Sequence, residues 1–165
     1  SLNVSALTCA DADWLQALRT LTAGDRSLTS RLMIEITETA AIEDLEQSIA
    51  FVDTLKELGC LVAIDDFGAG YTSFKNLKHL AVDIVKIDGS FVKNLATDPG
   101  DRIFLETMVR LAENFGMKTV AEWVGCEETA GIVRDVGITY MQGYYFGQPI
   151  EQSEIPELVG AAAGS

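Results

Sequence analysis

This sequence predicts an α/β fold built on a parallel sheet and wound as a β/α barrel, and three observations carry the prediction. Short apolar runs alternate along the chain with amphipathic stretches of helical period, the order expected of strand, crossover helix and parallel strand. Runs such as Leu61 to Ile64 are apolar at every position, which suits strands covered on both faces. A charged or amide side chain recurs where a run ends: Glu35 after LMI, Asp65 and Asp66 after LVAI, Lys86 after VDIV, Glu122 after KTVA and Gln142 after ITYM. In a parallel barrel these positions converge on one rim, the face on which active sites are built. A smaller doubly wound sheet is the competing architecture, and periodicity alone does not separate the two.

Leu2 to Ser5 reads as the end of a strand, and Ala10 to Ala23 as a helix with Trp14, Leu15, Leu18 and Leu21 at helical spacing and Asp11 or Asp13 as cap. Leu32 to Thr37 is a strand. Ile42 to Leu58 is an amphipathic helix carrying Leu45, Ile49, Val52, Leu55 and Leu58 on one side, ended by Gly59. The strand Leu61 to Ile64 leads through Asp65 and Asp66 into a Gly68-Ala69-Gly70 loop, then a short helical segment, Ser73 to His79. Val82 to Ile87 is a strand. Asp101 to Phe115 is a helix with Ile103, Leu105, Val109 and Leu111, stopped by Gly116. Lys118 to Ala121 is a strand, Glu127 to Val136 a helix, and Ile138 to Met141 the last strand.

The 165 residues suffice for one sizeable core, and 48% hydrophobic with 22% charged residues is the composition of a soluble globular domain. An eight-stranded barrel takes about 250 residues, so five strands and the end of a sixth are expected to leave the barrel open. The chain opens on Ser1 inside a strand-like run, which points to a piece of a longer protein. No apolar stretch is long enough to span a bilayer and no basic-flanked signal peptide opens the chain, so a cytoplasmic domain without membrane contact is expected, although the parent could carry an anchor. The net charge of -13 argues against DNA or RNA as the main partner, because neutralising a phosphate polymer takes stripes of Lys and Arg. Cys9, Cys60 and Cys126 show no CxxC or zinc spacing and read as thiols of a reducing compartment.

Asp65 and Asp66 suit a pair of hard cations, since adjacent carboxylates repel unless a cation or donor lies between them. Set against this is an ordinary acidic turn after a strand. Glu35, one strand earlier at the same level, can add an oxygen ligand. Glu38 could anchor the glycine loop through its backbone donors, or simply favour a helix start. Asn3 offers a carbonyl ligand or a turn. Lys86, enclosed by apolar neighbours, needs an anion, supplied by a carboxylate-rich centre, by a substrate phosphate or by a structural ion pair. Glu122 could hold metal or act as a base. Gln142, followed by Gly143, could hold a ligand with its amide. Tyr144, Phe146 and Pro149 read as packing residues, and His79, the only histidine, as a surface residue with no nucleophile machinery around it.

The segments IEITET, IDDFGAGYTSFKNLKHLAVDIVKID, KTVAEWV and MQGYYFGQP closely resemble the signatures of EAL domains, which hydrolyse the bacterial second messenger cyclic di-GMP. The resemblance runs from Asn3 to Pro149. It implies a (β/α)8 TIM-like barrel of which the chain supplies the last two thirds, with residues 1–155 a partial EAL domain and 156–165 a tail. It implies Asn3, Glu35, Asp65, Asp66 and Glu122 as ligands of two Mg²⁺ or Mn²⁺ ions, with Asp65 bridging. Glu122 is the implied general base, Lys86 the lysine near the attacking water, Gln142 the residue closing the site and Glu38 the one that steadies the loop. The implied reaction is hydrolysis to linear pGpG in the intact protein, with the fragment alone inactive because the Glu-Ala-Leu motif is absent. A homodimer or fused regulatory domains are implied partners. Where the family reads AEGVE, this chain has Ala121-Glu122-Trp123-Val124-Gly125, which keeps a catalytically silent cyclic di-GMP receptor as the alternative.

Overall fold

The computed structural model describes residues 1–69, 74–151 and 153. Six strands form a single parallel sheet in sequence order: β1 (Leu2–Val4), β2 (Met33–Thr37), β3 (Leu61–Phe67), β4 (Ile84–Ile87), β5 (Lys118–Ala121) and β6 (Tyr140–Met141). The described helices are α1 (Ala6–Cys9), α2 (Ala12–Thr22), α3 (Arg26–Thr29), α4 (Glu38–Glu43), α5 (Leu45–Leu58), α6 (Phe74–His79), α7 (Gly89–Lys93), α8 (Pro99–Asn114) and α9 (Glu127–Val136). A sheet whose order follows the chain, every pair parallel, excludes the doubly wound alternative, which must reverse direction at a switch point. Among the described residues no pairing joins β1 to β6.

The strands' period of two sorts their side chains into two environments. Ile34, Ile36, Val62, Ile64, Val85 and Ile87 join the main core, together with Phe51, Val52 and Leu55 of α5 and Leu105, Met108 and Val109 of α8. Each such fully buried side chain is worth about 1.5–3 kcal/mol of transfer free energy. On the opposite face Ala63, Ile84 and Val120 form a second, small cluster with Met33. Glu35, Asp65 and Lys86 follow these residues by two positions and share that face. An open lumen of about 780 Å³ lies there, bordered by Met33, Leu61, Ile84, Val120 and Tyr140.

Helix starts follow side-chain chemistry. Asp11, Asp25, Thr37, Asp44 and Asp98 each accept a hydrogen bond from a backbone N–H of the first turn they cap. One helix expected from Ile42 to Leu58 is two, because Asp44 adopts φ -137 and ψ 93 and its side chain accepts from Gln47 N–H, ending α4 and starting α5 in one residue. The C-terminus of α5 is closed by Gly59 at φ 90, where a Cβ would also stand 3.2 Å from the Thr29 hydroxyl. Strand β3 runs past Ile64 to Phe67 and so contains both aspartates, whereas the sequence placed them after its end. The short helices α1, α3 and α7 bury too few residues to leave a periodic signal. Gly70 of the glycine loop, Ser73 of the expected short helix and the expected tail 156–165 lie outside the described residues.

His79 is exposed, Cys9 and Cys60 are buried, and all three cysteines are free thiols. No described helix is long and apolar enough to cross a membrane. The double role of Asp44 gives a direct test. Asp44→Ala should destabilise the domain by about 1 kcal/mol, the usual loss for an N-cap, read as a lower denaturant midpoint with an unchanged slope.

Candidate functional site

The rim formed by the carboxyl ends of β2 to β5 is organised around one ammonium. Lys86 of β4 sits in the lumen with its side chain 7% exposed, and its Nζ donates to Glu35 Oε2 at 2.8 Å and to Asp65 Oδ1 at 2.7 Å. Glu122 Oε1 lies 2.7 Å from the same nitrogen. Three carboxylates from β2, β3 and the residue after β5 thus meet on one cation. Burial opposes the charge on Lys86, but the hydrogen bonds to Asp65, Glu122 and Glu35 outweigh it and hold its pKa above the ordinary lysine value. Burial likewise pushes the Glu35 carboxyl up, and Lys86, with a smaller contribution from Ser1, more than reverses it.

Asp66 reaches this group through a backbone irregularity. In a regular strand Asp65 and Asp66 would point to opposite faces. Here the pairing of β3 with β4 shifts register between Ile64 and Phe67, and Asp66 takes φ 54, a left-handed conformation that aspartate tolerates better than most residues. The result is that carboxylate oxygens of Asp65, Asp66 and Glu122 all lie within 4.8 Å of one another. Burial raises the Asp66 carboxyl, and the negative charges of Asp65 and Asp88 raise it further. Glu122 is raised by burial as well, an effect Lys86 only partly offsets and Asp65 and Asp66 reinforce. Four carboxylates around one ammonium leave an excess of negative charge in a half-buried place. Hard divalent cations match that donor set, so the residues present fit a metal centre.

The remaining expected residues fall around this cluster. Asn3 pairs in register with Glu35 and stands level with it on β1. Glu38, 4% exposed, accepts a hydrogen bond from Gly68 N–H at 2.8 Å through Oε2. Gly68 has φ 98, and a Cβ there would lie 2.9 Å from the Phe91 ring, so the turn after the aspartate pair is open to glycine alone. Gln142 is tied on both sides: its N–H donates to Ala121 O and its carbonyl accepts from Val124 N–H. Gly143 follows because a Cβ would stand 2.2 Å from Val124 O.

Sequence reasoning missed two features. Asp88 caps α7 and adds to the negative field on Asp66, a role for which the only signal was its place just after a strand. The other is a cleft of about 320 Å³ lined by Glu122, Trp123, Gly125, Gln142, Gly143 and Tyr144. Tyr144 and Phe146, expected as packing residues, are 71% and 56% exposed. Trp123 has φ 59, unusual for a bulky residue and costing on the order of 1–3 kcal/mol. Its indole rests on Gly89, where a Cβ would come within 2.2 Å of it, and Lys93 Nζ lies 3.7 Å from the ring centroid. An exposed contact of that kind returns about 0.5–1 kcal/mol, less than the strain.

The cyclic di-GMP phosphodiesterase PdeF of Escherichia coli (strain K12) is 42% identical over 119 residues, 72% of this chain and 16% of PdeF. Among solved structures, the EAL domain of Mycobacterium smegmatis DcpA superposes with a TM-score of 0.88 at 33% identity, covering 96% of this chain and 71% of that one. The PaMucR phosphodiesterase in complex with c-di-GMP gives a TM-score of 0.85 at 32% identity, covering 93% of this chain and 62% of that one. The chain therefore spans a small part of its curated relatives and about two thirds of the solved domains. The family model of the EAL domain matches residues 1–149, and with the carboxylate rim and the parallel sheet in place the chain belongs to the EAL domain family.

Proposed function

We propose that the protein containing this chain hydrolyses cyclic di-GMP to linear pGpG, with the rim around Lys86 as its active site. The single observation that carries this reading is the meeting of Glu35, Asp65 and Glu122 on Lys86, with Asp66 turned in beside them. Relatives that share the fold include PdeF and a phosphodiesterase in complex with c-di-GMP, which supports a cyclic dinucleotide as substrate. Residues 1–155 are then the larger part of a (β/α)8 barrel whose open sheet is closed by further strands. A homodimer or fused regulatory domains would surround it, in the cytoplasm where the messenger is found.

Glu35, Asp65, Asp66 and Glu122, with Asn3 level with Glu35, are the residues that would hold two Mg²⁺ or Mn²⁺ ions. When bound, such ions supply Lewis acidity and a nucleophile active near neutral pH. The protein's own part is positional and acid–base. Lys86 keeps three carboxylates from separating under mutual repulsion and presents positive charge toward the phosphate. Glu122, beside Lys86 and within reach of the aspartate pair, is the base that takes a proton from the attacking water. The water oxygen bonds to phosphorus, the P–O3′ bond breaks, and the leaving 3′ oxygen takes up a proton from solvent, which opens the ring to pGpG. Glu38, through Gly68, fixes the turn that follows the aspartate pair. Gln142 borders the cleft beside Glu122.

Gly125 favours a second reading, a receptor that binds cyclic di-GMP without turning it over, because the resemblance places a carboxylate there. The position has room for one: a Cβ at Gly125 would meet only Trp123 O, at 3.9 Å. Full-length protein incubated with cyclic di-GMP and Mn²⁺ should form pGpG, resolved by chromatography, and Asp65→Asn should reduce this to background. Binding with no conversion in the wild type would instead establish the receptor. Under the hydrolase reading Gly125→Glu changes turnover little, whereas a silent receptor should gain conversion from that substitution.

A further inference from the structure

Trp123 borders the site in a backbone conformation that its own residue type disfavours. It lies next to Glu122 in the chain, its backbone is left-handed at φ 59, and its side chain remains 61% exposed. A tryptophan held in an unfavourable backbone state without being buried gives little back to the folded state. Its ring is nevertheless fixed in place. Gly89, which opens α7, leaves the space the indole occupies, and Lys93, one turn along the same helix, puts its ammonium 3.7 Å from the ring centroid. Trp123 also lines the cleft that Glu122 and Gln142 border, with exposed Tyr144 on the same cleft. The site thus contains a large, pre-set aromatic surface a single residue away from a reacting carboxylate.

We propose that Trp123 is a substrate-binding residue: its indole is the stacking platform for one nucleobase of the nucleotide whose phosphodiester lies at the carboxylate rim. A flat heteroaromatic base is the ligand such a surface recognises, because stacking needs a π-face and a fixed ring and makes no demand on hydrogen-bond pattern. Lys93, 3.7 Å above the ring centroid, covers one face of the indole and helps to hold the ring, so the face offered to a base is the opposite one. Gly89 and Lys93 position the platform, and Glu122 remains the group that moves the proton. The proposal rests on the cyclic di-GMP reading of the rim and adds to it how the base end of the substrate is held.

The backbone conformation supplies a clean variant. At φ 59 glycine is favoured over tryptophan, so Trp123→Gly removes the ring while easing the main chain. In the full-length protein with Mn²⁺, Trp123→Gly should raise KM for cyclic di-GMP about tenfold or more and leave kcat within about twofold, with Tm unchanged or higher. Trp123→Phe should recover most of the affinity, as a smaller ring still stacks. An unchanged KM in Trp123→Gly, or a fall in kcat at constant KM, overturns the proposal while leaving the phosphodiesterase reading in place. A wild-type protein that neither binds nor hydrolyses cyclic di-GMP overturns both together.

Discussion

The Lys86 ammonium, bonded to carboxylates from three different chain segments, is the interaction on which the rest of the site depends. Taking four acidic groups into a half-buried rim is unfavourable unless positive charge accompanies them, and breaking such a group by removing one partner leaves uncompensated charge behind. Lys86 supplies part of that compensation from the middle of the rim. The sheet makes the arrangement available: parallel strands in sequence order bring the carboxyl ends of β2, β3, β4 and β5 side by side, so residues 35, 65, 86 and 122 become neighbours although far apart in the chain. The deficit of positive charge that remains is what makes the rim a place for cations.

Two left-handed residues finish what the regular strands begin. Asp66 leaves the alternating pattern of β3 so that two consecutive carboxylates serve one face, and Trp123 leaves β5 so that the chain can turn back to Gln142 just after Glu122. Backbone strain of this kind is held by surrounding structure that determines the conformation more strongly than the local sequence does. At Asp66 the register shift with β4 provides it, followed by the Gly68 bond to Glu38. At Trp123 it comes from the Val124 bond to Gln142 and the seat on Gly89. The two irregular points lie on either side of the Lys86 cluster, one next to the expected metal ligands and one next to the cleft.

The parallel fold and the rim were legible in the sequence because both follow from simple periodicity. Apolar runs such as Leu61 to Ile64 mark a buried strand, and a polar residue at the end of each run marks the rim whatever the loops do. What was not legible depended on single dihedral angles. Asp44 splitting a seventeen-residue helical pattern, 42–58, into α4 and α5 leaves the apolar period almost intact. The bulge that turns Asp66 inward looks, in one dimension, like a strand ending at Ile64. Trp123 in a left-handed turn contradicts its own preference, so only its replacement of the glycine in the AEGVE motif hinted at the conformation. Tyr144 and Phe146 read as packing residues by type, yet both are exposed, because apolar character does not reveal which surface is covered.

The carboxylates around Lys86 are proposed as a divalent-cation site. This assignment is tested most directly by titrating the full-length protein with Mn²⁺ and following the free-ion signal by electron paramagnetic resonance, for the wild type and for an Asp65→Asn, Asp66→Asn double variant. Saturable uptake of Mn²⁺ is expected of the wild type, and the double variant should lose it while remaining folded. Equal uptake by the two proteins would contradict it.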